Sequence, residues 1–251
     1  MAWGLLKQLP AMGRAMRDPR KATVIRAARA GVTLIELMVA LGIAAVVLAF
    51  TIPNVAEWAG NQRAKAAARS VGDLLQRARA EAMRTGKQHV VFFGNPGVTD
   101  PSGNAVEMTG AWVPVLLIDD GAPATANCAI EGGEALEAVQ AQDGISWGVD
   151  FATSAVSTDG GAAPFDPGGV WDGATFADPT DTKINWVLFR PDGVPVTFVG
   201  AVGSCGAIGT LGSAGGALYL TNGERDFAIV LSPLGAVRLH LWDRASGTWS
   251  S

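Results

Sequence analysis

Between Val32 and Ile52 the chain runs for 21 residues with one charge, Glu36. As a helix rising ~1.5 Å per residue, a segment of this length matches the ~30 Å hydrocarbon layer of a bilayer. Its composition is helical: Leu, Met, Ala and Val, with a single Gly42 and with Pro53 just beyond its end. The run predicts a transmembrane helix over 32–53 and a separate water-exposed part after it. A cleaved secretory signal would also start basic and turn apolar. This run is long, however, and no A-x-A site follows it closely.

Charge divides the chain at the same place. Residues 1–31 carry seven basic side chains (Lys7, Arg14, Arg17, Arg20, Lys21, Arg26, Arg29) against Asp18, a net of +6. The remaining 220 positions carry 12 basic and 22 acidic residues, a net of −10, so the overall −4 describes neither part. A basic arm ahead of an apolar run stays cytoplasmic and sends the rest of the chain outward.

Glu36 is costly in an apolar helix, and such residues mark function. Its neighbours give it a context. The string Ala30-Gly31-Val32-Thr33-Leu34-Ile35-Glu36-Leu37-Met38-Val39 resembles the processing site of type IV prepilins. The resemblance implies a basic leader, 1–31, removed by prepilin peptidase after Gly31, then N-methylation of Val32. It also implies an assembly role for Glu36, which would meet the Val32 amine of a neighbouring subunit. An ammonium beside a carboxylate cancels charge that hydrocarbon cannot solvate. Val32 stands where the family usually has phenylalanine, and a 31-residue leader is longer than usual. Pro53 lies where many pilins bend their long helix.

Asn54–Gln88 reads as an amphipathic stalk helix. Val71, Leu74, Leu75, Ala78 and Ala82 recur at helical spacing and predict one core-facing stripe. Seven basic and three acidic residues leave this stalk near +4, as expected of a solvated helix face. Gly86 is its expected stop.

From His89 to the C-terminus the pattern turns to strands. Val90–Phe93, Trp112–Ile118, Ile145–Phe151, Ile184–Phe189, Pro195–Val199, Ala217–Thr221, Phe227–Leu231 and Ala236–Trp242 are β-rich. Turns at Arg190-Pro191-Asp192-Gly193, Asn222-Gly223 and Ser232-Pro233-Leu234-Gly235 separate the later ones. The expected outcome is α+β, an antiparallel sheet packed on the stalk helix. Phe189–Gly193 and Ile229–Arg238 are similar to the closing hairpins of the GspH/FimT family. That family includes minor pseudopilins of type II secretion and minor pilins of type IV pili. The resemblance implies a type IV pilin-like fold with domains at 1–31, 32–53, 54–88 and 89–251. It implies an inner-membrane, single-pass subunit with a periplasmic head, incorporated into a pilus or pseudopilus near its tip. Its expected partners are other pilins or pseudopilins, the peptidase and the inner-membrane assembly platform. Between Asn95 and Thr182 no resemblance is recognisable.

Other function classes find little support. Some FimT-like members take up DNA through a loop resembling G-R-x-R; here Gly235-Ala236-Val237-Arg238 lacks the first arginine. Residues 91–251 hold five basic and eighteen acidic residues, so this head should repel nucleic acid. Asp159, Asp166, Asp172, Asp178 and Asp181 could suggest Ca²⁺, yet they lack EF-hand spacing and read as solvated loop. Two histidines and two cysteines are too few for a Cys/His zinc cluster. No G-x-S-x-G, Walker loop or H-E-x-x-H occurs, so no catalytic residue, metal or cofactor is expected. Cys128 and Cys205 both fall in the exported part, where an even pair suggests a disulfide. A loop of that size stabilises by ~4 kcal/mol in the chain-entropy account.

Overall fold

The computed structural model describes residues 31–93, 115–119, 128, 134–138, 144–167, 173–199 and 207–250. Of 50–54, 115–119 and 138 it describes the backbone alone. The chain divides into two compact units, Met1–Ala49 and Phe50–Ser251. One long helix, α1 (Leu34–Thr85), begins in the first unit and ends in the second. Among the described residues no helix is long and apolar enough to cross a membrane. The described side chains of the apolar run stop at Ala49. At ~1.5 Å per residue, Leu34–Ala49 measures about 24 Å, less than a ~30 Å hydrocarbon layer.

In the second unit, α1 carries an unbroken apolar stripe. Ala64, Ala67, Ala68, Val71, Leu74, Leu75, Ala78 and Ala82 are all buried. The five residues read from spacing therefore face the core, and three more alanines extend the stripe towards the helix start. Small residues there let α1 lie close to the strands beneath it. The helix ends at Thr85, three residues before the expected Gln88, because Gly86 adopts φ +68° and its N–H bonds back to Ala82 C=O at 3.0 Å.

Among the described residues ten strands follow: β1 (Gln88–Phe92), β2 (Val115–Asp119), β3 (Leu136–Ala138), β4 (Ser146–Trp147), β5 (Trp186–Phe189), β6 (Pro195–Val196), β7 (Gly216–Thr221), β8 (Asp226–Leu231), β9 (Val237–Asp243) and β10 (Thr248–Ser250). They form two antiparallel five-stranded sheets, ordered β3-β2-β1-β5-β6 and β10-β9-β8-β7-β4. The expected α+β arrangement, a long helix packed on antiparallel β-structure, is present, with the strands divided between two sheets. One core joins the helix stripe to Val91, Val187 and Phe189 of the first sheet, to Phe93 just after β1, and to Leu218, Leu220, Phe227, Ile229 and Leu231 of the second.

The second sheet is also covered on its outer face. Ala217, Tyr219, Ala228 and Val230 pack with Val156, and with the partly buried Val149, Phe165 and Trp249. Two-sided burial explains why β7 and β8 are buried at every position and lack an alternating pattern. The expected strand Ile145–Phe151 shrinks to Ser146–Trp147. Beyond it the backbone leaves the sheet and is held by side-chain acceptors described below. Trp112–Pro114 and about half of the stretch without resemblance lie outside the described residues.

Candidate functional site: the N-terminal processing segment

Gly31, Val32 and Thr33 precede α1 without regular structure. Thr33 is the helix N-cap. Its Oγ1 accepts the Glu36 N–H at 3.2 Å and its C=O accepts the Leu37 N–H at 3.1 Å. Thr33-x-x-Glu36 therefore has the spacing of a capping box. That places the Glu36 carboxylate in the first turn, where the helix dipole favours negative charge. The sequence reading attached a role to Glu36 and none to Thr33, although the S/T-x-x-E signal was present. The motif thus does two things in one turn: it starts the helix two residues after the Gly31–Val32 bond and sets an acid in the first turn of that helix.

Every described side chain from Val32 to Ala49 is exposed, including Val32 at 71%, Ile35 at 67% and Met38 at 62%. A helix that is apolar all round is a segment whose surroundings are another apolar phase or other chains. α1 continues through Pro53 without interruption; the proline side chain lies outside the described residues.

The other sequence-derived residues separate from this segment. Cys128 is buried, sits at φ +58° and is disulfide-bonded. The sequence holds one other cysteine, Cys205, which lies outside the described residues, as does Asp172. Asp159 and Asp178 are structural acceptors. Asp159 accepts Thr175 Oγ1 at 2.8 Å, the Tyr219 hydroxyl at 2.7 Å and the Gly161 N–H at 2.9 Å. Asp178 accepts the Thr180 N–H and hydroxyl and the Thr182 N–H. Burial raises the Asp178 pKa, but these donors outweigh it and the net shift is downward. Burial, and then the Asp159 charge, push the Tyr219 hydroxyl far above its ordinary value.

Sequence reasoning missed Asp226. It is fully buried, and its carboxylate accepts the N–H groups of Asp150, Phe151 and Ala152 at 3.0, 2.7 and 2.7 Å. This one side chain pins the segment leaving β4 to the start of β8.

Both histidines sit in poorly hydrated places. His89 is fully buried; its Nδ1 donates to the Lys87 C=O at 3.2 Å, and Nε2 has no hydrogen-bond partner among the described residues. Burial lowers its pKa against the opposing pull of Lys87 C=O and Glu81. Burial and the nearby Arg238 charge lower that of His240. An unfolded histidine binds a proton near pH 6.5, whereas these folded ones resist it. The unfolded state then holds more protons, so stability is complete above that pH and declines as pH falls through it. We expect the urea midpoint to fall between about pH 7 and about pH 5. His89→Phe should flatten part of that slope; an unchanged slope would remove His89 as its source.

A family model, the prokaryotic N-terminal methylation motif, matches residues 26–52. No curated protein matches the chain. Among solved structures the chain is similar to the minor pseudopilin EpsH from the Type 2 Secretion System of Vibrio cholerae, at 12% identity and TM-score 0.33, over 70% of this chain and 94% of that one. The matched motif contains Gly31, Val32 and Glu36, so the chain carries a prokaryotic N-terminal methylation motif, placed at the start of a capped helix whose described side chains from Val32 to Ala49 are exposed.

Proposed function

We propose that this chain is a minor pseudopilin, a structural subunit of a type II secretion pseudopilus, and not an enzyme. Prepilin peptidase removes 1–31 and the new Val32 amine is methylated. The mature chain is held in the inner membrane by the apolar run 32–52, which extends past the described Ala49 through Phe50, Thr51 and Ile52. Its β-rich head faces the periplasm, and the subunit helps initiate assembly or contacts secreted cargo near the tip. The observation that carries this reading is the methylation motif leading into a capped helix whose described side chains up to Ala49 are all exposed.

Assembly follows from the local electrostatics. Before assembly, Glu36 is a carboxylate on an apolar helix without an ion-pair partner among the described residues. Meeting a neighbour's Val32 ammonium relieves the cost of placing it in hydrocarbon. Glu36→Ala should therefore still be processed and reach the membrane fraction, yet be strongly depleted from sheared filaments. Equal recovery of mutant and wild type in that fraction would sink the assembly role. Membership in a secretion system is tested separately by deletion. Loss of secreted protein in the medium with intact twitching and transformation is expected; the reverse pattern would assign the chain to a type IV pilus instead.

A further inference from the structure

The second sheet has an incompletely covered edge. β9 spans Val237–Asp243, and all its residues from Val237 to Leu241 pair with β8. On the other side β10 pairs only with Leu241, Trp242 and Asp243. Among the described residues, nothing pairs with Val237–His240 on that side. The Ser232 N–H bonds to Ala236 C=O at 2.8 Å across the turn from β8. Antiparallel pairs alternate between bonded and non-bonded. The main-chain N–H and C=O of Val237 and Leu239 therefore point away from β8, towards the open side. The β10 contact agrees, since the odd-numbered Leu241 and Asp243 face it.

This edge lacks the usual protections. It has no proline and no bulge, and Val237 and Leu239 are half-buried apolar residues. They lean on the inner face, where Val237 lies beside Gly72 of α1. Next to them runs a groove of about 370 Å³ lined by Asn61, Lys65, Arg225, Leu239, Leu241 and Ser250, among others. Its charged lining residues are Lys65 and Arg225, with no carboxylate among the described ones. On the outer face the exposed Arg238 stands alone between buried Val230 and His240.

We propose that Val237–His240 is a docking edge that accepts one extended segment of a different protein subunit as an added β-strand. That segment carries apolar residues towards α1 and an acidic residue opposite Arg238. Main-chain pairing supplies affinity, and side-chain alternation supplies selectivity. A second copy of this chain fits poorly. Antiparallel self-pairing that uses both Val237 and Leu239 sets Arg238 directly opposite its own copy, where like charges repel. The proposal rests on the fold alone and stands or falls independently of the secretion reading.

The test uses the full chain in detergent micelles and a labelled, end-capped peptide of alternating valine and glutamate, read by fluorescence anisotropy. Binding is expected, with loss when alternate peptide amides are N-methylated, since that removes strand pairing and keeps every side chain. Arg238→Glu should weaken binding several-fold. Leu239→Pro should abolish it, because this N–H faces away from β8 and edge positions tolerate proline. Thermal unfolding confirms that each variant is folded, and the N-methylated peptide gives the same answer without altering the protein. Three results would overturn the proposal: equal binding of the N-methylated peptide, preference for a thymidine oligonucleotide, or concentration-dependent self-association that Leu239→Pro removes.

Discussion

Replacing Gly31 by aspartate should leave the chain entirely in its precursor form when it is expressed with a prepilin peptidase, while the wild type should be cut between Gly31 and Val32. Intact-mass measurement separates the two outcomes by the whole 31-residue leader and by the methyl group on Val32. The expected effect is all-or-none, and the structure explains why it will report on recognition and not on folding. Gly31 lies outside α1, and a Cβ built there meets nothing within 4 Å. No left-handed backbone is demanded at this position either, since Gly31 is not among the positive-φ glycines. Nothing in this fold therefore requires glycine, and the thermal unfolding of the head should be unchanged. An uncut chain keeps its +6 arm, offers no free amine at Val32 and leaves Glu36 of a neighbour unpaired. It should accumulate in the membrane and be absent from filaments. Recovery of a mature, methylated Val32 terminus from the aspartate variant would refute the processing site.

This segment was legible in sequence because its signals are local. A charge run, an apolar run and a short string in fixed register each need only a few neighbouring residues to be read. The helix stripe was legible for the same reason: Val71, Leu74, Leu75, Ala78 and Ala82 obey one period. The turns at Gly193, Gly223 and Gly235 were also readable, and all three glycines adopt positive φ, where a Cβ is disfavoured. At Gly235 a side chain would in addition press on Arg79, whose Nη1 donates to the Gly235 C=O at 3.1 Å.

What sequence could not supply was partition between sheets. β7 and β8 are apolar on both faces, so no alternation says which layer covers which side. β3 and β10 have three residues each, too short for any period. The long-range acceptors are invisible for a further reason. Asp159 reaches Tyr219 across 60 positions, and Asp226 reaches Phe151 across 75. Each reads locally as a polar turn residue, and only the folded chain shows what it holds.

Asp226 consequently carries a large expected stability effect for a single polar side chain. Its carboxylate is at 0% exposure and takes three main-chain N–H bonds, all 3.0 Å or shorter. Charge-assisted bonds of this kind contribute about 1.5–3 kcal/mol each, and donors left buried without acceptors add a desolvation cost. The bonds share one anchor and do not add fully, so Asp226→Ala should cost about 4 kcal/mol. For a unit of this size that lowers Tm by roughly 10 °C. Asp226→Asn keeps one acceptor oxygen but turns an NH2 group towards N–H donors, so it should recover little.

Asp243 offers the contrast. It accepts Ala245 N–H and Ser246 Oγ at an exposed turn, and its alanine variant should shift Tm far less. The disturbance from Asp226→Ala should also be directional. The segment 150–165 should become protease-sensitive first, because Asp226 ties its start while Asp159 and the Tyr219 hydroxyl, which accepts the Val156 N–H at 3.1 Å, tie its middle. Val156 and Phe165 would then uncover Tyr219 and Val230 on the outer face of the second sheet. A Tm within about 2 °C of wild type for Asp226→Ala would show that the three N–H groups find water or other acceptors, and would remove Asp226 as the clasp of the outer layer.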